Sequence, residues 1–228
     1  MTTRVFDSEK IYKESSIIIS KCINRVIQAN KQAIIGLAGG KSISNTLDEL
    51  IKMTIDWNHV HIFVVDERLV PIDNLLSNFK MIQEKFLQIM PKTNIHPFIL
   101  NGDKKDYGLT KYNKLFKKYK KYFDIVIVSS GEDGHIGSLF PSHSSILNES
   151  DGYITVHNSP KPPTKRVTIS KKMIIKSKTG FLFIVGDHKK NAYKKFFDNE
   201  INYIDCPSKL ISKIPENYVI VSKELSED

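Results

Sequence analysis

Cysteine, arginine and long apolar runs are all scarce in this chain, and each scarcity removes a class of protein. The 228 residues include two cysteines, Cys22 and Cys206, with no CxxC pair and no cysteine–histidine grouping at zinc spacing. A disulfide framework and a structural zinc site are thereby excluded, and the pattern suits a reducing compartment. No apolar stretch approaches the ~20 residues of a membrane span. The opening Met1–Lys10 has no apolar signal core. The expectation is a cytoplasmic protein without a membrane partner.

Only four of the 34 basic residues are arginine, so the formal charge of +9 is a lysine excess. Isoleucine and asparagine are abundant too, which points to a composition bias rather than to selection for a ligand. The excess helps solubility and can steer anions. No zinc-finger, RGG or RNP-like pattern accompanies it, so nucleic acid is not an expected partner. Against this background each retained arginine carries weight, because lysine lacks the planar fork. Apolar residues at 40% and charged residues at 26% exclude wholesale disorder. The length suffices for a single domain over 1–228 with a core of its own.

Strand-like apolar runs alternate with helical patterns, which predicts an α/β fold. Ser8–Lys31 reads as a helix with Ile19, Cys22, Ile23, Val26 and Ile27 on one face. Ala33–Ala38 reads as a strand and Ile43–Met53 as a helix. His59–Val65 is a strand that stops at Asp66, with helices over Ser77–Met90 and Tyr107–Tyr122 beyond it. Asp124–Val128, Ile154–His157, Phe181–Val185 and Tyr218–Val221 complete the strands. Asn191–Asp198 is a further helix, and the polar tail Lys223–Asp228 is expected to fray. Lys104–Lys121 carries eight lysines against Asp106, a solvated helix face or a binding surface.

Ligands of open α/β sheets bind outside the carboxyl ends of strands, and four turns lie there. Gly39-Gly40-Lys41-Ser42 opens a helix; its amides and the Ser42 hydroxyl suit a phosphate, or it is a plain tight turn. It matches neither the Walker nor the dinucleotide pattern. Asp66-Glu67-Arg68 sets three charges after a buried strand, which is costly unless they face solvent or a ligand. It is a salt-bridged strand end, or Arg68 grips an anion while Asp66 orients hydroxyls. Gly131-Glu132-Asp133-Gly134-His135 offers an imidazole able to take a proton from water, with Asp133 to fix its tautomer or bind substrate; a turn with an incidental histidine is the bland reading. Lys161, Arg166 and Lys189 could gather around a phosphate. The other six histidines read as structural or surface residues, with some reserve for His188 beside Lys189.

The segments LAGGKS (37–42), DERLVP (66–71), SNFKMIQEKFL (77–87), GEDGHIGSLFP (131–141), SPKPPTKRVTI (159–169) and VGDHK (185–189) together resemble the 6-phosphogluconolactonase family. The resemblance implies the Rossmann-like fold of sugar-phosphate isomerases and lactonases, an open, mostly parallel sheet with helices on both faces. It implies hydrolysis of 6-phosphoglucono-1,5-lactone to 6-phosphogluconate in the oxidative pentose phosphate pathway, without metal or organic cofactor. It makes His135 the general base and Asp133 the acid of the same turn. Gly39, Gly40, Lys41, Ser42, Arg166 and Lys189 would hold the substrate phosphate, and Asp66 and Arg68 would contact substrate. Fusion to, or association with, a glucose-6-phosphate dehydrogenase is compatible with it. The chain departs from the family at Lys41 and Ile43, where a small hydroxyl residue and proline are usual, and at Ser129, where glycine is usual. A glucosamine-6-phosphate deaminase is the nearest alternative, but its motif continues after the histidine with asparagine, glutamate and proline, and this chain reads Ser138-Leu139-Phe140-Pro141. A sugar-phosphate-binding protein without turnover is the other alternative.

Overall fold

The computed structural model describes residues 1–87, 89 and 94–226. Along them run β1 (Thr2–Phe6), α1 (Ile11–Asn30), β2 (Ala33–Leu37), α2 (Lys41–Leu50), β3 (Val60–Val64), β4 (Asp66–Arg68), α3 (Asn78–Phe86) and β5 (Ile95–His96). Then follow α4 (Leu109–Tyr119), β6 (Ile125–Ser129), α5 (Ser144–Leu147), β7 (Tyr153–Val156), β8 (Arg166–Ile169), α6 (Lys171–Ile175), β9 (Thr179–Ile184), α7 (Lys190–Phe197) and β10 (Glu216–Ser222). The main sheet has the order β1-β10-β9-β6-β2-β3-β5, and every pairing in it is parallel. A small antiparallel sheet, β4-β8-β7, stands beside it.

The apolar runs become strands because they are covered on both faces. β2 and β9 are buried along their whole length. The α1 stripe at Ile19, Cys22, Ile23 and Val26 is buried as its spacing predicts. α1 packs on α2 and α2 on α3, while α4 packs on β7. The expected α/β class with a parallel sheet is therefore the observed one.

Several boundaries differ for local reasons. α4 starts at Leu109, not Tyr107, because Tyr107 and Gly108 take φ of 54° and 94°, outside the helical region. α1 starts at Ile11, after a turn in which Asp7 accepts from the Lys10 and Ile11 amides. α2 spans Lys41–Leu50, so it begins before Ile43 and places Lys41 and Ser42 in its first turn. α3 ends at Phe86; Met90, the expected end, lies outside the described residues. The expected fraying of the tail is corrected up to Ser226: Lys223–Leu225 forms a 3-10 turn, Leu225 is buried, and Ser8 donates to Glu224 at 2.7 Å. β1 had no apolar signature because it is a mostly exposed edge strand.

Sheet topology decides where a ligand can enter. From β2 the chain builds outward through β3 to β5, and from β6 it builds the other way through β9 and β10. β2 and β6 are neighbours. Between their carboxyl ends lies the switch point, where open α/β sheets leave a crevice.

Candidate functional site

A cavity of about 460 Å³ opens at this switch point. Gly39–Ser42 enters from the end of β2, Ser129–Gly131 and His135 from the end of β6, and Gly186, His188 and Lys189 from the end of β9. Asp66, Arg68 and Arg166 enter from the small sheet. Among the described residues its wall carries the cations Lys41, Arg68, Arg166 and Lys189 against the carboxylate Asp66. The first turn of α2 adds the positive end of a helix. Such a lining has a positive field that attracts anions.

The two arginines are brought together by strand pairing. Arg68 and Arg166 are direct partners across the β4–β8 ladder, where like charges repel unless something negative joins them. Arg166 is nearly buried and anchored: its Nε donates to the Pro163 carbonyl at 3.0 Å, and its Nη2 to those of Lys161 and Pro162 at 3.0 and 3.1 Å. Burial lowers its pKa; Asp66 opposes the fall and Arg68 adds to it. Nη1 lies 4.0 Å from Asp66 Oδ2. Arg68 donates through Nη1 to the Leu76 carbonyl at 2.6 Å, and its buried Nε has no partner among the described residues. An idle buried donor beside a cavity is a place for a ligand acceptor.

Asp66 and Arg68 line the cavity, whereas the expectation that Glu67 too faces solvent or a ligand is corrected. These residues form a short strand, not a turn. Glu67 points into the protein and caps α3, accepting from the amides of Arg68, Asn78 and Phe79 at 2.8, 2.8 and 2.7 Å and from Ser77 Oγ at 2.9 Å. Burial pushes its carboxyl up, against the pull of those donors. Asn78, thereby held in place, donates to the Asp66 carbonyl at 2.8 Å and lies so close to Gly39 that a Cβ there would sit 1.9 Å from Asn78 Oδ1. Ser138 donates to Asp66 Oδ2 at 2.8 Å.

In the third turn, His135 Nδ1 lies 2.5 Å from Asp133 Oδ1, which also accepts from the His135 amide at 3.2 Å. Burial pushes the Asp133 carboxyl up, but hydrogen bonding to His135 and the charges of His135 and Lys161 outweigh it and hold the group well below the usual range. An ionised carboxylate only accepts, so Nδ1 carries a hydrogen, and in the neutral form of the ring Nε2 is the nitrogen with the lone pair. Nε2 has no partner among the described residues. Phe140 packs against the imidazole at 4.8 Å between ring centroids. His135 lines the cavity; Asp133 stands behind it, oriented to the imidazole.

Lys189 is buried on the wall and donates to Ser129 Oγ at 2.7 Å. Burial lowers its pKa to about 8; Glu132 opposes the fall and Lys161 adds to it. Lys161 is not on the cavity wall and takes part through its carbonyl and its charge. Tyr12, Asn78, Ser129 and His188 also line the cavity. Ser129 had stood out in the sequence as a departure; Tyr12 reaches the site from the far end of α1, and no local signal marks it. Among the described residues no three His, Cys, Asp or Glu side chains converge as a metal site requires.

A mostly parallel central sheet flanked by helices is the Rossmann-like fold of the sugar-phosphate isomerases and lactonases. The chain belongs to the family of glucosamine-6-phosphate isomerases and 6-phosphogluconolactonase, whose model matches residues 7–220. It is 33% identical over 210 residues to a 6-phosphogluconolactonase of Borreliella burgdorferi, covering 90% of this chain and 89% of that one. Its fold matches the crystal structure of a 6-phosphogluconolactonase from Thermotoga maritima with a TM-score of 0.85 at 22% identity, covering 97% and 99% of the two chains. It also matches a monomeric glucosamine-6-phosphate deaminase with a TM-score of 0.82 at 21% identity, covering 100% and 99%. The fold is thus common to both activities, and the side chains of the site must discriminate between them.

Proposed function

We propose that the chain hydrolyses 6-phosphoglucono-1,5-lactone to 6-phosphogluconate, the lactone-opening step of the oxidative pentose phosphate pathway. The observation that carries this reading is the Asp133–His135 pair, which leaves a basic Nε2 on the wall of a cation-lined cavity. The phosphate rests on the first turn of α2 with Lys41, Arg166 and Lys189 around it. Water loses a proton to His135 Nε2 as its oxygen bonds to C1, and the carbonyl becomes an oxyanion. When the C1–ring oxygen bond breaks, the leaving oxygen takes that proton back from the imidazolium. Asp133 steadies the imidazolium in between. The carboxylic acid formed then ionises to solvent. Arg68, with its idle Nε, and Asp66 contact the sugar acid.

The relatives named as lactonases support the substrate. Against deamination stands the motif after His135: the segment Ser138–Pro141 has no glutamate, and Phe140 is buried against the imidazole. The test is an initial-rate assay on freshly generated lactone, with spontaneous hydrolysis subtracted. His135→Ala should lower kcat by ~10²–10⁴-fold, the range for a positioned acid–base group. Arg166→Ala should raise KM and weaken binding of 6-phosphogluconate. A parent protein no faster than spontaneous hydrolysis, or one releasing ammonia from glucosamine 6-phosphate, would falsify the reading.

A further inference from the structure

The geometry points to Ser129 as a positioning residue that holds the Lys189 ammonium in place for the substrate phosphate, a role that rests on the function proposed above. Lys189 sits in the 3-10 turn Asp187–Lys189 beyond β9, and Ser129 is the last residue of the adjacent β6. The 2.7 Å contact from Nζ to Ser129 Oγ has the length of a charge-assisted hydrogen bond. No carboxylate forms a salt bridge with Lys189 among the described residues, so a hydroxyl is the side-chain partner of a nearly buried ammonium. The hydroxyl hydrogen has acceptors of its own, the Phe183 carbonyl at 3.4 Å and the Ser130 carbonyl at 3.5 Å. With that hydrogen turned toward them, the oxygen lone pairs face the lysine. An ammonium has three donors, so one spent on Ser129 leaves two for an anion in the cavity.

The charged groups around the amine sharpen the consequence. Glu132, from the turn after β6, favours its protonated form, and Lys161, from the proline loop, disfavours it. The cavity wall adds Lys41, Arg68, Arg166, His135 and His188 against Asp66. Burial already brings the group to about 8. Removing an acceptor that stabilises the ammonium more than the neutral amine lowers the midpoint further. The amine would then lose its proton, and its hold on an anion, at a lower pH.

The experiment follows Lys189 directly by NMR of protein carrying lysine labelled at the ε-carbon, with the resonance assigned from Lys189→Met. The substrate-free parent, Ser129→Ala and Ser129→Thr are titrated, and affinity for inorganic phosphate is measured across the same pH range. Ser129→Ala should titrate lower by about one pH unit and bind phosphate roughly fivefold more weakly near pH 8. Ser129→Thr, which restores the hydroxyl, should return toward the parent on both readouts. A Ser129→Ala protein whose Lys189 titrates as in the parent overturns the positioning role. If the midpoint moves but Lys189→Met binds phosphate as the parent does, positioning stands and the phosphate placement proposed above fails.

Discussion

Replacing Gly131 by alanine separates chemistry from binding in a single methyl group. Gly131 is not among the residues with positive φ, so its backbone tolerates alanine, and its amide can still donate to the His135 carbonyl at 2.8 Å. The imidazole cannot tolerate it. A Cβ on Gly131 would sit 2.0 Å from His135 Cε1 and 2.1 Å from Nδ1, where ordinary contact begins near 3.4 Å. The ring must therefore retreat by about 1.4 Å, which breaks the 2.5 Å contact of Nδ1 with Asp133 and displaces Nε2 from the attacking water. Misplacement by ~1 Å can cost ~10²-fold, and complete loss of a general base ~10²–10⁴-fold. The expected result is a kcat lower by ~10²–10³-fold. Affinity for 6-phosphogluconate should stay within about threefold, because the cations belong to other elements. Rates would be read on fresh lactone, affinity by calorimetry and folding by thermal melting. Adding Gly131→Ala to His135→Ala should cost no more than about threefold again, since both act on the same group. A folded Gly131→Ala protein with kcat within threefold of the parent would refute the assignment of the ring.

Two further outcomes test the surroundings. Arg68→Lys keeps the charge but loses the fork that reaches both the Leu76 carbonyl and the cavity; kcat/KM should fall by roughly 10-fold or more, and full retention would leave Arg68 without a role in the site. Glu67→Gln leaves donors around α3 facing an amide nitrogen and should destabilise the protein by about 2–4 kcal/mol, a fall in Tm on the order of 10 °C. A melting temperature within 2 °C of the parent would show that the buried carboxylate is dispensable.

What the sequence by itself determined is what short-range chemistry decides. The apolar runs of β2, β6 and β9 could only be covered strands, and the polar turns after them had to lie at the carboxyl edge of the sheet. Asp133 and His135 are two residues apart, so a single turn suffices to join them. The tertiary structure alone decided the rest, because those contacts close over long stretches of chain. Whether Glu67 met water, a ligand or a helix end depended on where α3 docked. Arg68 and Arg166 became neighbours only through the register of β4 on β8. Lys189 found Ser129 because β6 and β9 lie side by side, an adjacency set by sheet order and invisible in local composition.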